Sequence, residues 1–213
     1  MVDTRSEHDD LARLYLPIAL AVMVVVVGLL VMFAIRYRAR GAASEEPAGG
    51  PTHAPRVELV YAVFLAAVVV FLLWRTFRVE ARVDRVAAHP AVTVDVTAAK
   101  WEWRFDYPRL GIVERQVGKR YPTLVVPAGR EVRFRLRAKD VIHAFWIPSR
   151  RFKRDAIPGR TAVFTLLFPH PGAVPGGGLC SEFCGLGHDQ MRFNLRVLSG
   201  AGFARWTSAR SLR

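Results

Sequence analysis

The chain has 213 residues, of which 52% are hydrophobic, with 31 Lys+Arg against 18 Asp+Glu for a formal net charge of +13. That is apolar for a soluble domain of this size, and the apolar excess is unevenly spread. So basic a surface suits nucleic acid, anionic lipid or an acidic protein, and tethering outside a membrane, argued below, sets nucleic acid aside.

Residues 1–13 read as a polar tail carrying Asp3, Glu7, Asp9 and Asp10. An acidic start of this kind is unlike the short basic start of a secretory signal. Tyr15 to Ile35 is an almost unbroken apolar run, punctuated by Pro17 and Gly28, and is long enough to cross a membrane as a helix. A Gly/Ala/Pro/Glu-rich loop follows near residues 41–55. The second run, Leu59 to Trp74, spans a bilayer if Val57, Glu58 and Arg75 to Phe77 sit at the interfaces; the alternative is a buried core helix. The expectation is a helical hairpin over 14–77, with helices at about 15–35 and 57–77. Arg36, Arg38, Arg40 and Arg56 place the loop on the cytoplasmic side and both termini outside. Arg75, Arg78, Arg82 and Arg85 pull the other way, but long domains cross regardless of charge.

A charged connector at 78–90 ends in His89-Pro90. Residues 91–200 then read as β throughout. Val92 to Thr97, Glu131 to Arg137 and Met191 to Leu198 alternate apolar with polar, and Thr161 to Phe168 reads as a further strand. Pro127-Ala-Gly129, Pro158-Gly159, Pro171-Gly172 and the glycines after Pro175 supply turns. Short strands at this spacing predict a sandwich or barrel. From residue 80 onward there are 23 Lys+Arg against 11 Asp+Glu, a net of +12. Arg133, Arg135, Arg137 and Lys139 alternate with Val132, Phe134, Leu136 and Ala138 and so read as the wet face of one strand. Residues 201–213 read as a basic tail. No internal repeat is present.

Residues 180–191 carry the chemistry: Cys-Ser-Glu-Phe-Cys-Gly-Leu-Gly-His-Asp-Gln-Met. They hold both cysteines of the chain, Cys180 and Cys184, then His188 and Met191. Gly185 and Gly187 let the backbone fold around a centre. Soft sulfur and nitrogen donors select copper over oxygen-loving cations. Zinc would call for four strong ligands, often two Cys-x-x-Cys pairs, and methionine serves it poorly. A closed copper site needs one more strong ligand. His8 and His53 lie in the tail and loop, and His89 and His170 precede prolines. His143 instead sits in the apolar stretch Val141-Ile-His-Ala-Phe-Trp-Ile-Pro148, where it is either a satisfied core histidine or a ligand. One thiolate with two histidines makes a mononuclear blue-copper site. Two thiolates can bridge two metals, each then taking one histidine, with Met191 and a backbone carbonyl as weak axial donors.

Here the chain resembles subunit II of the cytochrome c oxidases, the haem–copper respiratory enzymes. The resemblance rests on Cys180 to Met191, on Asp140 to Pro148, on Lys153-Arg-Asp-Ala-Ile-Pro-Gly-Arg160, on the aromatic segment Trp101-Glu-Trp-Arg-Phe-Asp-Tyr-Pro108, and on a hairpin followed by a β domain. It runs in order over about residues 14–200. It implies a transmembrane hairpin plus an all-β, cupredoxin-like Greek-key barrel on the periplasmic or outer side of the cell membrane. It implies a dinuclear CuA centre, with Cys180 and Cys184 bridging, His143 and His188 each on one copper, Met191 axial to one, and the Glu182 carbonyl axial to the other. The Glu182 side chain would reach a magnesium ion shared with subunit I. Trp101 would be where electrons arrive, and Glu58 would stand near the mouth of a proton path. Haem would lie in the partner subunit. The partners implied are subunit I, other oxidase subunits, membrane lipid and a cytochrome c-like donor. The family typically offers acidic groups around its tryptophan to a basic cytochrome c, whereas this domain is basic. The donor expected here is therefore an acidic cytochrome, a tethered one or a small copper protein. A nitric oxide reductase with the same copper module shares most of these residues. A membrane-anchored copper chaperone, a thiol reductase or a plain disulfide would leave Met191 idle, and the disulfide would leave the histidines unexplained as well.

Overall fold

The computed structural model describes residues 2–38 and 54–211. The loop expected at 41–55, with His53, lies almost wholly outside the described residues. The chain divides into two compact units, one of Met1–His8 with Glu80–Arg213 and one of Asp9–Val79.

Two helices come first, α1 (Thr4–Arg36) and α2 (Pro55–Val83). Both are longer than the apolar runs that announced them. The expected polar tail at 1–13 is helical from Thr4, and the connector at 78–90 is helical to Val83. Hydropathy marks only the part of a helix that lipid can cover, whereas backbone hydrogen bonding continues until a cap or breaker stops it. At the start, the Asp3 carboxylate accepts the Arg5 N–H at 3.1 Å, filling one of the donors a helix leaves open there. Farther along, the Arg78 guanidinium lies 4.4 Å above the Trp74 ring. Within Asp9–Val79, the Tyr15 hydroxyl donates to the Leu72 carbonyl at 2.8 Å and pairs α1 with α2. Leu20, Val24, Val60 and Val70 are among many apolar side chains exposed on both helices, and a helix clothed in exposed apolar groups has lipid as its solvent. Both are long and apolar enough to cross a membrane.

Ten strands follow: β1 (Val92–Ala99), β2 (Glu102–Tyr107), β3 (Ile112–Arg115), β4 (Thr123–Pro127), β5 (Glu131–Ala138), β6 (His143–Ile147), β7 (Phe152–Ala156), β8 (Ala162–Leu167), β9 (Gly172–Cys180) and β10 (Arg192–Leu198). They form two five-stranded sheets, in the orders β3-β2-β1-β5-β8 and β4-β10-β9-β6-β7. β1 runs parallel to β5 and β10 parallel to β4, and the other pairs are antiparallel. Alternation dictates which side faces inward. On β5, Val132, Phe134 and Leu136 are fully buried, while the arginines between them point out. Arg135 makes a two-point pair with Asp95 at 2.6 and 2.5 Å, Arg137 donates to Thr97 at 3.3 Å, and Arg133 donates to the carbonyls of Ala87 and Ala88. The expected wet face is therefore present, with its three arginines hydrogen-bonded.

Aromatic rings from both sheets fill the interior. Trp103 of β2 meets Phe193 of β10 edge-on at 5.8 Å, and Phe193 stacks on Phe145 of β6 at 5.0 Å. Each such ring contributes roughly 1.5–3 kcal/mol by leaving water. Gly178 on β9 is required by this packing, since a Cβ there would collide with the Phe193 ring. The segment 201–213, read from sequence as a basic tail, is instead the helix α3 (Gly200–Ser211). Phe203 and Trp206 pack against the core, with Trp206 edge-on to Tyr107 at 5.2 Å. Their spacing of three residues puts both on one helical face.

Candidate metal centre

Three chain turns meet at one end of the β-domain. Cys180 is the last residue of β9, opposite Phe145 of β6 in register, and its N–H donates to the Met191 carbonyl at 2.9 Å. The loop between β9 and β10 thus starts and ends at paired residues, and a 3-10 turn at His188–Gln190 closes it. His143 opens β6 next door. The turn from β1 to β2 brings Trp101, and the turn after β5 brings Asp140.

The donors converge. Cys180 Sγ and Cys184 Sγ lie 3.8 Å apart. His143 Nδ1 is 3.8 Å from Cys180 Sγ, and His188 Nδ1 is 3.6 Å from Cys184 Sγ. Met191 Sδ is 4.0 Å from Cys184 Sγ, and the Glu182 carbonyl is 3.2 Å from Cys180 Sγ. Cys180, Cys184, Met191 and His143 are buried and His188 is half-buried. All five side chains singled out in the sequence, with the Glu182 carbonyl, therefore come to one place. The two sulfurs are too far apart for a disulfide, whose bond is about 2.05 Å, and both thiols are free.

The electrostatics ask for a cation. Burial opposes ionisation of Cys180, but hydrogen bonds from His143 and from backbone at Ala144 and Glu182 hold its thiol down to about 6. Burial and the neighbouring Cys180 push Cys184 up to about 12. Two thiolates this close repel each other unless positive charge lies between them. A soft metal ion supplies that charge, and two thiolates, two imidazoles and a thioether form a set suited to copper. The residues present fit such a group.

Around the donors stands a supporting layer, part of which has no sequence motif. Asp140 Oδ1 pairs with His143 Nε2 at 2.9 Å and Nδ1 faces Cys180, so the ring is oriented from both sides. Burial alone would lower the His143 pKa, but Cys180 and Asp140 raise it. Trp103 Nε1–H donates to the Met191 carbonyl at 3.3 Å, and Trp101 Nε1–H to the Cys184 carbonyl at 3.1 Å. Two tryptophans thus hold the backbone of two donor residues. The reason for Gly187 is steric: a Cβ would stand 2.6 Å from the Trp101 ring. Trp101 is 37% exposed, so one indole spans from the loop to the surface.

Other expected residues lie elsewhere. The Glu182 carboxylate pairs with Lys153 Nζ at 3.3 Å, and Lys153 is also 3.5 Å from Asp155. Glu58 stands in the first turn of α2, in the helical unit. His89 and His170 are exposed, away from the donor set.

A family model described as cytochrome C oxidase subunit II, periplasmic domain, matches residues 114–198. A probable cytochrome c oxidase subunit 2 of Streptomyces avermitilis is 30% identical over 219 residues, covering 85% of this chain and 68% of that protein. Cytochrome c oxidase subunit 2 of Vanderwaltozyma polyspora is 30% identical over 174 residues, covering 72% of this chain and 69% of that protein. Among solved structures, the periplasmic domain of subunit II of cytochrome oxidase of Bradyrhizobium japonicum superposes with a TM-score of 0.53 at 29% identity, over 60% of this chain and 98% of that one.

Proposed function

This chain belongs to the cytochrome c oxidase subunit 2 family, and from that premise we propose that it is the membrane-anchored, copper-binding electron-transfer subunit of a respiratory oxidase. Copper held between Cys180 and Cys184 supplies one-electron redox chemistry. Cys180, Cys184, His143, His188, Met191 and the Glu182 carbonyl would together hold a pair of copper ions. The observation that carries this reading is the convergence of those six donors at one largely buried place with two sulfurs 3.8 Å apart.

The chain's own residues account for the rest. Burial keeps water from the thiolates, and Asp140, Trp101 and Trp103 fix the donors before any metal arrives, so little need move on oxidation or reduction. Trp101 gives electrons from a soluble donor a path from the surface to the Cys184 backbone. Electrons pass on to haem in subunit I, where oxygen is reduced and protons are pumped. The Glu182 carboxylate, paired here with Lys153, would be a ligand for a magnesium ion shared with that subunit, and Glu58 would serve near a proton path into it. The β-domain lies on the periplasmic or outer side.

The test is electron paramagnetic resonance of the full chain, purified in uncharged detergent and loaded with copper. A hyperfine pattern from one electron shared equally by two copper nuclei is expected, in a purple solution. The pattern of a single copper would sink the dinuclear assignment and return the site to a mononuclear cupredoxin or a chaperone.

A further inference from the structure

Beside Trp101 lies an open groove of about 600 Å³, lined among others by Lys100, Trp101, Glu102, Lys119, Tyr121 and Gln190. It reaches the surface next to the loop that carries Cys184 and His188. Its acidic neighbours are mostly spoken for. Asp140 turns inward, with Oδ2 accepting the Lys100 N–H at 2.7 Å and Oδ1 accepting from His143. Asp106 is gripped at two points by Arg104, at 2.7 and 2.9 Å. Glu114 is half-buried and held by Arg210 at 2.9 Å. The cations are left facing out: Lys100, Arg115, Lys119 and Arg120 are all exposed, and among the described residues Lys100 and Lys119 make no ion pair. Only Glu102 and Asp189 stand exposed against them on the flanking segments 100–104, 114–121 and 187–190. Behind this face the chain from residue 80 onward carries 23 Lys+Arg against 11 Asp+Glu. A field of that sign draws in anionic surfaces and repels cationic ones.

We propose that this groove docks an acidic one-electron carrier protein, one that rings its exposed redox edge with carboxylates and seats them on Lys100 and Lys119, with Trp101 between. The proposal rests on the reading that electrons enter at Trp101. In the transfer the reduced carrier loses one electron and the copper centre gains it, with no bond made or broken. The flat contact of Trp101 with Gly187 leaves the indole's outer edge in the groove, where a partner's redox edge can approach it. Charge complementarity of this kind acts on encounter rate and partner choice, and salt weakens it.

The experiment uses the full chain in uncharged detergent. The probes are a basic cytochrome c and the same cytochrome after its lysines have been succinylated, which inverts the charge around an unchanged haem. By isothermal titration, the metal-free chain should bind the succinylated form at least about tenfold tighter near 10 mM ionic strength, and the preference should collapse by about 300 mM. Lys100→Glu combined with Lys119→Glu should abolish the preference, and both substitutions are on exposed positions that leave the core untouched. Stopped-flow reduction of the copper-loaded chain should follow the same order. Tighter binding of the untreated basic cytochrome, or a preference that survives the double substitution, overturns the docking proposal. Tetramethylhydroquinone, a neutral reductant that gives one electron to each of two copper centres and releases two protons, separates the two levels. If it reduces the loaded chain while the charge preference is missing, docking alone fails. If it cannot reduce the loaded chain, the electron-acceptor reading fails and takes the proposal with it.

Discussion

Asp140 organises three groups with one carboxylate. Oδ1 meets His143 Nε2 at 2.9 Å and the Val141 N–H at 2.7 Å, and Oδ2 meets the Lys100 N–H at 2.7 Å. Burial opposes its charge, but these hydrogen bonds win and hold its carboxyl down to about 2. It therefore orients the imidazole on one side and the Ala99–Lys100 peptide on the other. Partners of a metal-binding histidine commonly govern metal affinity by about 10–100-fold. Asp140→Asn keeps the shape but puts an amide where the anion was, and should weaken copper affinity by about tenfold or more. Competition with a chelator of known affinity checks this, and unchanged affinity would show that His143 needs no such support. The donors themselves were legible because four of them crowd into 180–191, and His143 stood out as a polar residue in an apolar strand. The part played by Asp140 was not legible, because nothing local says that an acid three residues before a histidine bonds it. The same holds for Trp103, whose target at Met191 is 88 positions away and is brought close only by sheet pairing.

At the scale of elements, the two sheets are pinned by Tyr107 as well as by packing. Its hydroxyl, at the end of β2, donates to the Val125 carbonyl at 2.8 Å and accepts the Val125 N–H at 2.9 Å, in β4 of the other sheet. Tyr107→Phe would leave both backbone groups buried and unpaired, and should cost about 1–3 kcal/mol in urea unfolding near neutral pH. The effect carries a pH signature. Burial raises the pKa of Tyr107 above its ordinary value, so the folded state favours the neutral phenol. That contribution is complete below the unfolded pKa of about 10 and is lost as pH rises beyond it. The gap between the parent chain and the variant should thus narrow by about 1.4 kcal/mol per pH unit above 10. A gap that stays constant to pH 11.5 or so would mean that the phenol ionises equally well when folded. Strands with clean alternation, such as β1, β5 and β10, were readable from the sequence because one face is wet. β9 was not, since Gly172 to Gly178 carries turn residues, and β9 is a strand only because β6 and β10 flank it. α3 hid for a related reason: twelve residues with two arginines and two serines look like a tail until Phe203 and Trp206 find Tyr107.

As a whole, the molecule is written for two solvents, and each unit shows which one it meets. The β-domain hides most of its aromatic rings and displays arginine; the helical unit displays valine, leucine and phenylalanine along its length. Water-soluble chains rarely expose apolar surface on this scale, so membrane sheets washed with alkaline carbonate should keep the full chain while shedding peripheral proteins. Orientation is a separate matter, set by charge near the ends of the spans. Arg36, Arg38, Arg40 and Arg56 flank the connecting segment, and moving several arginines across a bilayer costs roughly 2.5–3.5 kcal/mol for each at the centre. The domain also carries many cations, but it follows the second span as a long folded unit, and segments of that length escape the rule. On this charge pattern the expected outcome is a connecting segment inside and residues 80–213 outside. Both native thiols are buried, so a maleimide that cannot cross membranes reports on introduced cysteines alone. Arg130→Cys, in the exposed turn before β5, should label in intact spheroplasts. Ser44→Cys, in the connecting segment, should label only after the membrane is opened. Labelling in the reverse order would place the copper-binding domain in the cytoplasm, out of reach of any donor outside, and would show that the charge of the domain outweighs that of the loop.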